Sequence, residues 1–185
     1  MSQRVAMFED SLAIMRQLWA GETVSNDRFW HLENAHIAPL PAQDIEVWIG
    51  ATAPAAINRT ARLAEGWLGT PSATPQQAKE QLNQYRQACA EHQRTPSAVA
   101  LRRDIFIAGS VNEAEAFRSH AVAKGYRGFP EEALICGDVS QVAAQFAEFF
   151  EAGFTDIVVR NMSSDQGQAL ATIEALSDVR RQLNL

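Results

Sequence analysis

Four short apolar stretches, each followed by sequence of helical period, restrict this chain's fold more than any other feature. They are Glu46–Ala51, Gly66–Thr70, Leu101–Ala108 and Thr155–Arg160. The first passes through Gly50-Ala51-Thr52-Ala53-Pro54 into a helical run over 55–64, with Ile57, Ala61 and Ala64 on one face and Arg59 and Arg62 on the other. The second leads to Thr74-Pro75 and a long helix to about residue 91. Threonine there can cap the helix and proline suits its first position. The third runs into Gly109 and a helix over 112–124. A further helix over 141–152, capped by Asp138 or Ser140 and ended by Gly153, precedes the fourth strand, and a last helix over 167–183 follows it. Apolar strands alternating with helices predict consecutive βα units on a parallel sheet buried on both faces, joined by right-handed crossovers. Two α/β architectures fit: a small doubly wound sheet, or part of a (β/α)8 barrel. A whole barrel takes about 250 residues, so 185 residues with four strands correspond to part of one.

Ahead of the first strand, Val5, Phe8, Leu12, Met15, Leu18 and Trp19 recur at spacings of three and four, which predicts an amphipathic helix over 5–20 closed by Gly21. Residues 22–44 have no clean period. They hold Phe29, Trp30, His31, Pro39 and Pro41, and "DRFWHLENAHIAPLP" reads as a short extended hairpin. With no repeat and no low-complexity linker, one domain over 1–185 is expected.

The formal net charge is −6 without a long block of one sign, so nothing marks a nucleic-acid or anionic-membrane surface. Arg180-Arg181 sits where cations favour a helix C-terminus. Cys89 and Cys136 stand in no metal spacing and read as reduced thiols of a cytoplasmic protein. The opening MSQRVAMFED carries no signal-peptide pattern, and no apolar run reaches the roughly 18–20 residues of a membrane span.

Two places can bear chemistry. The turn Gly50-Ala51-Thr52-Ala53-Pro54 combines small residues, a hydroxyl and a helix start, which is what an anion needs from backbone N–H groups. Ordinary βα turns have the same composition. Arg160 ends the fourth strand, where its planar fork suits a phosphate or carboxylate; a salt bridge to Asp156 or Asp165 is the other reading. Adjacent strand residues point to opposite faces, so at most one of Arg102 and Arg103 can face the inner side, and it needs a partner, either near Asp104 or a ligand. His31, His36, His92 and His120 form no metal-ligand pair, and no nucleophile–base constellation stands out.

Taken in order, FEDSLAIMRQLWAGETVS, RFWHLENAHIAPLP, VWIGATAPAAINRTARLAEGWLGT and CGDVSQVAAQFAEFFEAGFTDIVVR resemble the luciferase-like monooxygenase family, over nearly the whole chain. The resemblance implies a partial (β/α)8 barrel in which the four strands are the family's fifth to eighth. It implies a flavin-dependent oxidoreductase or monooxygenase using FMN, or alternatively a deazaflavin coenzyme, held at the C-terminal strand ends. Gly50, Ala51, Thr52 and Ala53 would anchor the cofactor phosphate, largely through backbone because the acidic-Ser version of this turn is absent. Gly66 and Trp67 would border the phosphate or ribityl chain, with Trp67 as core packing the other reading, and Arg160 would join them. Strands one to four have no counterpart here. The alternative is therefore a non-catalytic flavin-binding or dimerising relative, or a fragment that pairs with a separate N-terminal half.

Overall fold

The computed structural model describes residues 2–184, so Met1 and Leu185, the bounds of the expected domain, lie outside it. The described chain resolves into two compact units that meet between Glu46 and Val47. In the first, α1 (Ser2–Trp19) ends at Gly21, whose φ of +82° is the left-handed cap expected of glycine. The hairpin forms as β1 (Val24–Asn26) paired antiparallel with β2 (Leu32–Ala35). The apolar stripe of α1 is buried only in part. Leu12 and Ile14 are buried, whereas Val5, Phe8 and Met15 remain exposed.

The second unit is built on a five-stranded parallel sheet. Its elements are β3 (Trp48–Gly50), α2 (Pro54–Leu63), β4 (Gly66–Gly69), α3 (Pro75–Glu91), β5 (Ala98–Ile107), α4 (Val111–Ala123), β6 (Leu134–Gly137), α5 (Val139–Ala152), β7 (Asp156–Asn161) and α6 (Gln166–Gln182). Helices α2, α3, α5 and α6 lie against one face of the sheet, while α4 covers the β6 end of the other, where Phe106 stacks on Phe117. β4 lies between β3 and β5, and β7 pairs with β5. The predicted strands form with small shifts of boundary. β5 starts three residues early because Ala98–Leu101 carries the register with Gly66–Gly69. Beyond that pairing, β5 continues to Ile107 and pairs with β6, a strand that the sequence pattern did not reveal. Its four residues Leu-Ile-Cys-Gly are too few to display a period.

Helix signals work as expected. Thr74 accepts from Gln77 N–H while the Gln77 side chain returns to the Thr74 N–H; Asp138 and Gln141 repeat this capping box at α5. Ser110 and Asp165 cap α4 and α6. On the helix side the core gathers Ile57, Ala61, Trp67, Leu82, Tyr85, Ile105, Phe146 and Phe154. Trp67 lies 5.3 Å from Tyr85 and 6.1 Å from Phe154 by ring centroids. The other side of the sheet is more open: Trp48 and Val158 are exposed.

Two stability tests follow. Gly153 closes α5 at φ +104°, and a Cβ there would collide with the Arg86 guanidinium, which donates to the Ala152 and Gly153 carbonyls. Gly153→Ala should lower unfolding free energy in urea by at least about 1–2 kcal/mol. Burial pushes the Cys136 thiol up to about 11 from 9. The neutral thiol's stabilising contribution is complete below pH 9, where the unfolded thiol is also protonated, and is lost as pH rises through about 11. Urea melts of Cys136→Ala should therefore show a shallower loss of stability between those pH values than the parent.

Candidate functional site

The strand ends β3 and β4 meet at a polar hollow. It has a volume of about 270 Å³ and is lined by Thr52, Pro54, Thr70, Ser72, Gln77 and Glu80, among others. The turn Gly50–Pro54 forms one wall. Its Ala51 is buried, while Thr52 and Ala53 are exposed. A Cβ on Gly50 would meet nothing nearer than the Leu68 carbonyl at 3.8 Å, so packing does not demand glycine; its small size leaves the turn's backbone accessible. α2 starts at Ala53 with no side-chain cap, whereas α3 to α6 are each capped by a side chain. The positive end of α2 thus has no side-chain oxygen capping it.

Trp67 takes the core-packing alternative, and Gly66 lies at the other end of β4 from the hollow. Gly66 opens β4 at its N-terminal end, buried beneath the Trp48 ring, where a Cβ would come within 2.7 Å. Trp67 is fully buried on the helix side. Neither presents a surface to a ligand. The strand end lies two residues further on, at Gly69-Thr70, and Thr70 reaches the hollow with its hydroxyl 3.0 Å from Ser72 Oγ. Trp67 acts from behind: its indole N–H donates to the Ala51 carbonyl at 2.9 Å and ties down the turn. Arg103 does the same for β4. It is fully buried, lies 4.8 Å over the Phe149 ring, and its Nη1 donates to the Thr70 carbonyl at 3.4 Å. Burial pulls its pKa down to about 10.

Arg102 and Arg103 point to opposite faces, as alternation requires. Arg102 faces the open side, 3.6 Å from Asp104. Arg160 also faces that side, and its partner is Asp104 at 3.6 Å, neither Asp156 nor Asp165. Asp104 is the register partner of Arg160 on β5, a relation invisible from sequence separation. Strands β4 and β5 lie between β3 and β7, so Arg160 does not join the Gly50–Ala53 turn. Arg127 completes this group, which sequence reading missed because it arrives from an irregular loop. Among the described residues, no group of three or more His, Cys, Asp or Glu side chains could hold a metal ion. No helix among them is long and apolar enough to cross a membrane.

A family model described as luciferase-like monooxygenase matches residues 1–130. The chain belongs to the luciferase-like monooxygenase family. It is 30% identical over 167 residues to the phthiodiolone/phenolphthiodiolone dimycocerosates ketoreductase of Mycobacterium bovis (strain BCG / Pasteur 1173P2), covering 85% of this chain and 42% of that protein. It is 32% identical over 81 residues to the F420-dependent glucose-6-phosphate dehydrogenase of Microbacterium testaceum (strain StLB037), covering 43% and 24%. The chain thus spans less than half the length of these curated relatives. Among solved structures, monooxygenase RslO1 from Streptomyces bottropensis superposes with a TM-score of 0.80 at 18% identity, over 100% of this chain and 63% of that one. The oxygenating constituent of 3,6-diketocamphane monooxygenase from the CAM plasmid of Pseudomonas putida, in complex with FMN, gives 0.68 at 17% identity, over 93% and 61%. These likenesses establish the family and the α/β fold with its parallel sheet.

The hold of Trp67 on the turn is testable. Trp67→Phe keeps an aromatic ring but leaves the buried Ala51 carbonyl without its donor, and should cost about 1–3 kcal/mol. Hydrogen exchange across residues 50–55 should quicken more than exchange in α5. Equal changes in both would remove the indole's anchoring part.

Proposed function

We propose that this chain carries the phosphate-anchoring side of a luciferase-like oxidoreductase or monooxygenase whose cofactor is FMN or, alternatively, the deazaflavin F420. The single observation that carries this reading is the uncapped start of α2 beside the hydroxyl-lined hollow. The turn backbone around Gly50, Ala51, Thr52 and Ala53 would hold the phosphate, with the Thr52, Thr70 and Ser72 hydroxyls as further donors. The donor set fits a phosphate: it offers N–H and O–H groups and a helix dipole. Glu80 is the one opposing charge on the lining. The relatives support both cofactor choices, since one is F420-dependent and one solved neighbour holds FMN.

When bound, the cofactor would supply the electron transfer, and the protein would position and shield it. Trp67 and Arg103 serve that end as positioning residues. Each fixes a strand-end carbonyl from the dry side of the sheet, so the turn keeps its shape before a ligand arrives. Arg160 lies on the open face, where a substrate or the ring would lie. That face exposes Trp48 and Val158, which favours a second polypeptide against it, either a separate N-terminal half or a second copy of this chain.

Thr52→Glu tests the site. Like charges about 4 Å apart cost roughly 1–4 kcal/mol between surface and bulk-water conditions. Affinity for FMN or F420, titrated separately by fluorescence, should therefore fall at least about fivefold, and the tighter of the two titrations names the cofactor. Unchanged affinity in the variant would move the phosphate elsewhere.

A further inference from the structure

Asp104 is fully buried, and three guanidinium groups converge on it. Arg127 Nη1 donates to Asp104 Oδ2 at 3.0 Å. Arg102 and Arg160 approach to 3.6 Å, close enough for charge attraction and too far for a hydrogen bond. One carboxylate therefore faces three cations, leaving an excess of two positive charges in a chain whose formal charge is −6. A lone buried carboxylate needs one well-placed partner. The cations also repel one another, so a single carboxylate leaves the group short of negative charge.

The backbone makes this arrangement at a cost. Gly125, Tyr126, Arg127 and Gly128 have φ of +83°, +32°, +55° and +72°, a left-handed run in which two positions carry side chains. Such conformations persist where the surroundings enforce them and cluster at functional sites. Here the run drops Tyr126 into the core and swings Arg127 back over Asp104. The three arginine side chains remain 31%, 43% and 47% exposed, so a solute can reach them. Each guanidinium has five N–H donors in a planar fork, and Asp104 cannot take more than a small share of them.

We propose that Arg102, Arg127 and Arg160 form an oxyanion-binding site, built on Asp104, that takes a phosphate or carboxylate group of a small-molecule ligand. Asp104 serves as the anvil that orients the forks, and the bound oxyanion offsets the remaining positive charge. This site is separate from the proposed phosphate turn. Gly50 is level with Ala100 in the sheet, so Asp104 lies about 13 Å further along the strands and about 10 Å across them. The proposal does not depend on which cofactor binds, or on whether one binds at the turn.

The test uses the purified chain with inorganic phosphate and malonate as probes, each against chloride at matched ionic strength. Thermal melting and the arginine Nε–Hε resonances are recorded. Phosphate, malonate or both should raise the melting temperature, and three arginine resonances should shift saturably. A response to phosphate alone identifies a phosphoryl ligand; a response to malonate alone identifies a carboxylate. Arg127→Gln and Arg102→Gln should each weaken the responsive anion at least about tenfold, as loss of a charge-assisted donor predicts, while Thr52→Glu keeps the saturable shift of the three arginine resonances. Equal melting in all three salts with static arginine resonances would overturn the site. So would a response that Thr52→Glu abolishes and both arginine variants retain, because that assigns the anion to the turn. If Arg127→Gln does not fold, Arg102→Gln and the parent's resonances decide the matter alone.

Discussion

The side-chain alternation of β5 is the constraint on which the rest of the second unit depends. Ten consecutive residues, Ala98–Ile107, pair with β4, β7 and β6 in turn, so the sheet's registers are all referred to this strand. Alternation sends Leu101, Arg103, Ile105 and Ile107 toward the helices and Arg102 and Asp104 to the open face. A slip of one residue would turn Arg102 and Asp104 toward the aromatic rings of the helix side and part Asp104 from Arg127 and Arg160. The hydrophobic positions fix the register, and the register then places every charged group.

Arg103 is the cost of that arrangement. A guanidinium on the helix side must lose its water, and burial accordingly lowers its pKa. The Phe149 ring and the Thr70 and Arg102 carbonyls offset part of this loss. In return the end of β4 gains a fixed carbonyl, as the end of β3 does from the Trp67 indole. Both strand ends are held from the dry side, which leaves their accessible side to a ligand. A site whose supports lie behind it keeps its shape without filling the space in front.

Much of the fold was legible because its signals are local. Thr74-Pro75, Asp138, Gly153 and Gly21 cap helices where their types predict, and each needs only its neighbours along the chain to do so. The candidate turn was legible for the same reason, as a strand, small residues and a helix start in succession. The choice between the two readings of Trp67 was not legible, because its core setting is made by Tyr85 and Phe154, which lie far along the chain. Strand β6 was missed because it is short and gains its definition from the far end of β5.

The amino-acid sequence by itself determined the order of βα units, the caps, the family and the turn after β3, since these are properties of contiguous residues. The tertiary structure alone decided which arginine faces which side's environment, that Trp67 is an anchor, and that Asp104 gathers Arg102, Arg127 and Arg160. Those relations join residues far apart along the chain, and strand register and loop handedness bring them together. Coulombic and hydrogen-bonding forces act over a few ångströms of space, and a linear pattern holds no record of that distance.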